Sequence, residues 1–249
     1  MSIADRVAIV TAAGSSLGRA MALGLAREGA KVLVAEVREA AGKKVLEEIR
    51  SRSGTGELFI GDLSQVERAK EMVALCAERF KQIDILINSA GLRMEEHEDG
   101  VFEPWRCLQK RPTYELPVEE WDLVLSVNLR AVFLCTHFAL PYMIRQRKGN
   151  IISVSSTAGS QGVAGKSAYC APKHAVEGLM KTVAEEVRGF GISANAIHPG
   201  SRANVDGRGG QPPEVIVPLA CFLAGQEVPE ITGQVISAKK WNEGKRLQA

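Results

Sequence analysis

Short apolar runs alternate with longer amphipathic stretches through the first third of the chain. Arg6–Thr11 (RVAIVT) reads as a buried strand, and Leu17–Glu28 follows with Leu17, Met21, Leu25 and Glu28 at helix-like spacing. Lys31–Glu36 (KVLVAE) predicts a second strand, Ala40–Arg50 a helix, Leu58–Gly61 a third strand, Gln65–Phe80 a helix and Ile83–Asn88 (IDILIN) a fourth strand. Apolar runs without polar alternation suit strands covered on both faces of a parallel sheet. Strands alternating with helices predict right-handed βαβ units. The alternation breaks at Leu92–Glu120, a polar, charge-mixed stretch holding Pro104, Pro112 and Pro117. It resumes with a long helix over Trp121–Gln146, a strand over Gly149–Ser155, a helix over Ser167–Arg188 and a strand over Ile192–Ile197. Ser201–Pro213 is rich in glycine and proline and reads as a loop. A short helix over Pro213–Ala224 and a last strand over Gly233–Ser237 complete the pattern. With no internal repeat and no linker, the expectation is one doubly wound α/β domain over residues 1–249.

Composition narrows the function without naming it. Lys+Arg 31 against Asp+Glu 29 leaves a net charge of +2 on 249 residues. That is too little for a nucleic-acid binder that works by displacing counterions from a basic face. The five cysteines (Cys76, Cys107, Cys135, Cys170, Cys221) form no CxxC pair and share no metal spacing with a histidine. They fit free thiols in a reducing compartment, and no metal site is expected. The N-terminus has no secretory pattern. The longest apolar region, Ala131–Ile144, is too short to span a bilayer and contains His137 and Pro141. A soluble, cytoplasmic protein with no membrane or nucleic-acid partner is expected.

Two constellations carry chemistry. Between the first strand and helix lies Thr11-Ala12-Ala13-Gly14-Ser15-Ser16-Leu17-Gly18. A tight turn of small residues lets backbone N–H groups and a helix N-terminus approach a pyrophosphate, although such turns also serve simple chain reversal. Glu36 ends the second strand, where an acid accepts hydrogen bonds from ribose hydroxyls and repels a 2′-phosphate. Arg38 is the only nearby cation, so NAD is favoured over NADP. The second constellation is Tyr169 and Lys173, four residues apart on a helix and therefore on one face. A lysine ammonium one turn away stabilises a phenolate, which lets a tyrosine serve as a base near neutral pH. Taken alone, such a pair is more often an ordinary surface pairing.

Ser156 lies 13 residues before Tyr169, at the end of IISVSS, and Asn128 sits in a helix upstream. With these, the sequence resembles the short-chain dehydrogenase/reductase family over nearly its whole length. Thr11–Gly18 is similar to its TGxxxGxG turn, Asp62 in GDL to the aspartate that contacts adenine, and Asn88–Gly91 (NSAG) to its NNAG motif. Asn128, Ser156, Tyr169, Lys173 and Pro199-Gly200 follow in order. The resemblance implies a Rossmann-like sheet of seven parallel strands with helices on both faces. It implies Tyr169 as general acid/base and Ser156 orienting the substrate oxygen. Lys173 would bind the nicotinamide ribose and depress the tyrosine pKa, and Asn128 would hold a relay water. Cofactor contacts are expected from Thr11, Ala13, Gly14, Ser15, Ser16, Leu17, Gly18, Glu36, Asp62, Leu63, Asn88, Ala90 and Gly91, and from Tyr169, Lys173, Pro199 and Gly200. Arg93, Ser156 and Gln161 are the expected substrate contacts. The family also implies a homotetramer or homodimer, with the Tyr169 helix and the Trp121 helix at one interface.

Four departures from the family pattern stand out. Ala12 and Ser16 replace turn glycines, which leaves the turn intact if both keep φ negative. Ser89 replaces an asparagine, losing packing hydrogen bonds to the neighbouring strand, and Pro172 precedes Lys173 where serine is usual, with a local kink expected. The segment after Gly200 lacks an alignable nicotinamide-contacting threonine, with Ser201 and Asn204 the candidates, and is short. In compensation, Leu92–Glu120 is long, and it reads as a substrate lid bearing Arg93, His97, Trp105, Arg106 and Tyr114, or else as a surface or subunit contact. The basic tail Lys239–Arg246 would serve a neighbouring subunit. The expected activity is NAD-dependent interconversion of a secondary alcohol and a ketone on a small-molecule substrate. The alternatives are a non-catalytic dinucleotide-binding sensor or scaffold, an NADP-dependent 3-oxoacyl thioester reductase, and an epimerase or dehydratase, the last lacking its usual extra domain.

Overall fold

The computed structural model describes residues 2–95, 107–200 and 210–246. The chain runs β1 (Val7–Thr11), α1 (Ser16–Arg27), β2 (Lys31–Glu36), α2 (Glu39–Arg50), β3 (Gly56–Ile60), α3 (Val66–Phe80) and β4 (Ile85–Asn88). Two short strands follow, β5 (Arg93–Glu95) and β6 (Cys107–Gln109), then α4 (Val118–Leu125), α5 (Ala131–Gln146), β7 (Gly149–Val154) and α6 (Ser167–Glu186). The last elements are β8 (Ile192–His198), α7 (Val217–Ala224), β9 (Val235–Ser237) and α8 (Ala238–Arg246). Seven strands form one parallel sheet in the order β3-β2-β1-β4-β7-β8-β9, a single Rossmann-like α/β domain.

Alternation within each buried strand builds a core on each face of this sheet. Val7 and Ile9 of β1 join Leu86 and Ile151 in one cluster with α3, α5 and α6. Ala8 and Val10 join Ile85, Ile87 and Ile152 in a second cluster with α1, α2 and α7. Successive side chains point to opposite faces, so uniformly apolar strands are required. The strand order reverses between β1 and β4, which opens a crevice at the carboxyl edge where such sheets hold ligands.

Three features depart from the sequence expectations. The polar stretch after β4 contains a two-stranded parallel sheet, Arg93–Glu95 beside Cys107–Gln109. The long helix begins at Val118 rather than Trp121, because Pro117 presets its first turn and Glu119 and Glu120 favour its positive end. It also contains a π-helical segment, Ser126–Arg130, that no periodicity announced. The combined helix, Val118–Gln146, is long and apolar enough by length and composition to cross a membrane. Here Ala131, Val132, Cys135, Ala139 and Met143 belong to the domain core. Third, the basic tail forms helix α8 directly after β9, and Trp241 from it packs on Phe222 of α7 at 4.6 Å between rings.

Arg6 ties the start of the chain to its far end. Its guanidinium is buried and donates to the carbonyls of Ala224, Gly225 and Gln226 at 2.8–3.2 Å, closing the C-terminus of α7. Asn150 Nδ2 also donates to the Ala224 and Gln226 carbonyls at 3.2 Å, so loss of the guanidinium strands the Gly225 carbonyl and weakens the other two. Arg6→Leu is expected to cost about 1–3 kcal/mol in urea unfolding; a loss below about 0.5 kcal/mol would show the cap to be dispensable.

Candidate active site

The turn after β1 is built for close backbone approach. Ser15 donates through its N–H and its hydroxyl to the Ala12 carbonyl, at 2.9 and 2.6 Å. A Cβ on Gly18 would collide with that same carbonyl oxygen, so only glycine lets α1 start so close to the turn. Ser15 makes no side-chain cap, and the first N–H groups of α1 therefore remain available to an anion. The condition placed on Ala12 is not met. Its φ is +47, left-handed, and the turn persists with an L side chain in a conformation glycine takes more cheaply. Ser16 lies inside α1 with ordinary helical geometry.

Glu36 closes the other side of this turn. It is only 3% exposed; Oε2 accepts from the Gly14 N–H at 2.7 Å. Oε1 accepts from the backbone N–H groups of Val37 and Arg38 and from Arg38 Nε at 3.1, 3.2 and 3.4 Å. The nearby cation is thus paired with the acid. Asp62 accepts from the backbone and hydroxyl of Ser64 at 2.9 and 2.8 Å, which shapes the loop after β3 and buries Leu63. Thr11 Oγ1 accepts from the N–H groups of Ser89 and Ala90, fastening the NSAG loop to the end of β1. Asn88 Nδ2 donates to Thr136 and Ser153 beneath that loop. A turn of small residues, an uncapped helix N-terminus and an acid at the next strand end suit a dinucleotide.

The second half of the site gathers on β7, α6 and the π segment. Asn128 is fully buried, with each end of its amide bonded to Leu92: Oδ1 accepts from the N–H at 2.6 Å and Nδ2 donates to the carbonyl at 2.9 Å. Both Asn128 Oδ1 and Lys173 Nζ lie next to Gly91. Ser156 Oγ accepts from the Ala158 N–H at 3.2 Å and caps the 3₁₀ turn Thr157–Gly159, leaving its O–H to donate. Lys173 Nζ donates to the Val154 carbonyl at 2.7 Å and stands 5.8 Å from the centre of the half-buried Tyr169 ring. Burial pulls this ammonium down to about 8, with the Glu177 carboxylate pulling it back up. Pro172 is the sixth residue of α6, so its missing N–H leaves the Ala168 carbonyl without its helical donor, yet the helix is continuous. Gly200 donates to His198 Nδ1 at 3.1 Å. Burial holds that imidazole below its usual value, Glu177 opposing and Lys240 reinforcing.

The root of the insertion is part of the wall. Leu108 is 1% exposed and packs with Leu92, Val124 and Ala168, against which Tyr169, Trp121, Leu116 and Val127 rest. Arg111 donates its N–H to the Gly165 carbonyl at 3.1 Å, joining the insertion to the loop before α6. Arg93 stands on β5, Gln161 is exposed, and Tyr114 is 86% exposed, which takes it out of any enclosed site. His97, Trp105, Arg106, Ser201 and Asn204 lie outside the described residues. Sequence reasoning missed Glu177 and Leu108. Glu177 carried a signal, being four residues beyond Lys173 on the same helix face. Burial also pushes the Cys76 and Cys135 thiols up to about 12, so both are inert.

A parallel sheet with a phosphate-type turn at its switch point, and a tyrosine–lysine pair beside it, defines a dinucleotide-dependent oxidoreductase. The short chain dehydrogenase profile matches residues 6–206, and the chain belongs to that family of nicotinamide-dinucleotide oxidoreductases. It is 32% identical to 3-oxoacyl-[acyl-carrier-protein] reductase FabG of Thermotoga maritima, over 95% of this chain and 97% of the relative. It is also 32% identical to cyclohexanol dehydrogenase of Acinetobacter sp., over 92% and 91%. A solved structure from Beutenbergia cavernae, provisionally assigned as an NAD(P)-dependent gluconate 5-dehydrogenase and holding NADP at low occupancy, superposes with a TM-score of 0.83. Its identity is 31%, and 95% of this chain and 96% of that one are covered.

The buried ammonium has a consequence for stability. An ordinary lysine titrates at 10.5, so the folded protein binds the Lys173 proton more weakly than the unfolded chain does. Below the folded value both states are protonated and folding carries the whole cost, on the order of 3 kcal/mol. The cost fades as pH rises from about 8 to 10.5. The stability difference between Lys173→Met and wild type is therefore expected to be flat below about pH 8 and to shift in favour of wild type between about pH 8 and 10.5, read as unfolding temperature against pH. A difference independent of pH would contradict the depressed titration.

Proposed function

We propose that the protein interconverts a secondary alcohol and a ketone, with Tyr169 as general acid/base and NAD as cofactor. The observation that supports this most is the buried Lys173 ammonium beside the Tyr169 ring, at the sheet edge next to Ser156. A positive charge there favours the phenolate, so Tyr169 can take the proton of an alcohol and return it to a ketone oxygen. The Ser156 hydroxyl, its lone pair engaged by Ala158 N–H, orients that oxygen by donating to it. In this reading Lys173 would hold ribose hydroxyls, and Asn128, bonded to Leu92 at both ends of its amide, fixes the loop beside it. When bound, the nicotinamide ring supplies the hydride acceptor or donor. Gly14, Gly18, the N-terminus of α1, Glu36 and Asp62 are the groups that would hold the dinucleotide.

Glu36 supports NAD, because its carboxylate stands where a 2′-phosphate would be repelled. Arg38 supports a second reading, NADP, since its guanidinium, bonded to that carboxylate and to the Gly14 carbonyl, is 39% exposed and adds a positive charge beside Glu36 that an added phosphate would meet. Calorimetry decides between them: NAD binding tighter by about tenfold or more is expected, and tighter NADP binding reverses the assignment. The relatives act, by their names, on 3-oxoacyl carriers, cyclohexanol and gluconate, and the substrate proposed here is a small or medium alcohol. A homodimer or homotetramer joined through α4, α5 and α6 is also proposed, supported by the exposure of Leu123 and Phe133 on that face.

Tyr169→Phe is expected to lower kcat by about 10²–10⁴-fold in an assay following nicotinamide absorbance over a panel of alcohols. NAD binding should be unchanged, which also separates the enzyme from a dinucleotide sensor. Retained turnover would refute the role of Tyr169. Because Leu108 belongs to the wall, a test of the insertion must spare it. Replacing residues 96–106 by a short Gly/Ser bridge is expected to raise KM with NAD affinity intact, and an unchanged KM would remove the insertion from the substrate site.

A further inference from the structure

Glu177 follows Tyr169 and Lys173 at four-residue intervals on α6, so the three share one face of the helix. It is 7% exposed, an uncommon position for a carboxylate unless its charge and hydrogen bonds are answered. Ser155, next to Ser156, donates its hydroxyl to Glu177 Oε1 at 2.7 Å. Ser155 is itself fixed, its N–H bonded to the Ile197 carbonyl at 2.8 Å. A Cβ on Gly159, the last residue of the turn capped by Ser156, would collide with Glu177 Oε1 and stand 2.6 Å from Ser155 Oγ. The carboxylate therefore fills a space that only glycine leaves, against the turn that presents Ser156.

Two titratable groups answer this charge. Lys173 faces it from the same helix and His198 from β8, and the carboxylate favours the protonated form of both. Lys240 of α8 acts on His198 in the opposite sense. His198 is already committed as the acceptor of the Gly200 N–H, which leaves Lys173 as the group whose charge state Glu177 governs.

We infer that Glu177 is a positioning residue for the reaction: its carboxylate seats the Ser156 turn on α6 and supplies the buried negative charge that faces Lys173. This rests on the reading of Tyr169 and Lys173 given above. Desolvation alone would strip Lys173 of its proton at lower pH, and Tyr169 would then lose the field that makes it a base. A carboxylate one helical turn away restores the balance without touching substrate or cofactor.

Glu177→Gln tests this, since glutamine keeps the volume and can still accept from Ser155 while removing the charge. NMR titration of the Lys173 side chain, assigned with Lys173→Met, reads the coupling with no need of turnover. The Lys173 titration is expected to fall by about one pH unit in Glu177→Gln. Tyr169 then meets a neutral amine over the pH range in which wild type keeps the ammonium. A glutamine variant that folds with the Lys173 titration unchanged overturns the inference, because a merely structural carboxylate would leave it in place. Should Glu177→Gln fail to fold, Gly159→Ala displaces the carboxylate instead and is expected to lower the Lys173 titration likewise; an unmoved titration there overturns it. Wild-type protein that binds NAD but oxidises no alcohol would instead defeat the functional reading, and the NMR titration would still decide the Lys173–Glu177 coupling.

Discussion

An ammonium taken out of water at the carboxyl edge of a parallel sheet is the constraint on which this site depends. Lys173 has little solvent to stabilise it, so its surroundings must. The Val154 carbonyl accepts one hydrogen bond from it, the Tyr169 ring presents its face nearby, and Glu177 answers the charge. Each of these partners is fixed by something larger. Val154 ends a strand paired on both sides, and Glu177 is held by a serine whose backbone is part of the neighbouring pairing. The reactive geometry is therefore a property of the sheet edge rather than of a flexible loop, which is how a preorganised site avoids reorganising when charge develops.

The fold was largely legible in the sequence because its strands are buried on both faces. Residues such as Ala8, Ile9 and Val10 leave no doubt about burial, and Thr11–Gly18 could follow only as a turn. The candidate site, as proposed, was read from spacing: Tyr169 and Lys173 one turn apart, Ser156 at a strand end, Asn128 upstream. What escaped notice depends on distance in space. Leu108 follows no helical or strand period in a charge-mixed stretch, and its burial comes from the β5–β6 pairing that packs it with Leu92 and Ala168. The π segment at Ser126–Arg130 leaves no periodic trace in five residues. Yet it is what turns Asn128 inward, onto the backbone of Leu92.

Ala12 shows a different limit. Small size suggested that the turn would tolerate it, and the turn does form, but in the left-handed region rather than with the negative φ expected. Two hydrogen bonds from Ser15 to its carbonyl hold it there. Local preference is overruled by the closure of the turn, a pattern found where backbone must approach a ligand. The same turn is braced from β2 by Glu36, so the turn and the strand end proposed to hold the cofactor are one connected unit.

The clasp made by Arg6 bears on how the protein is made. Its partners at Ala224, Gly225 and Gln226 lie 218 to 220 residues later in the chain. On the ribosome, β1 emerges well before those carbonyls, and its flanking arginine waits through the synthesis of all the residues between. The central strand of the sheet is thus laid down long before the contacts that close it exist. Long-range closure of this kind slows folding and exposes unpaired strand edges meanwhile. The clasp therefore forms late, only once α7 and the turn after it have been made.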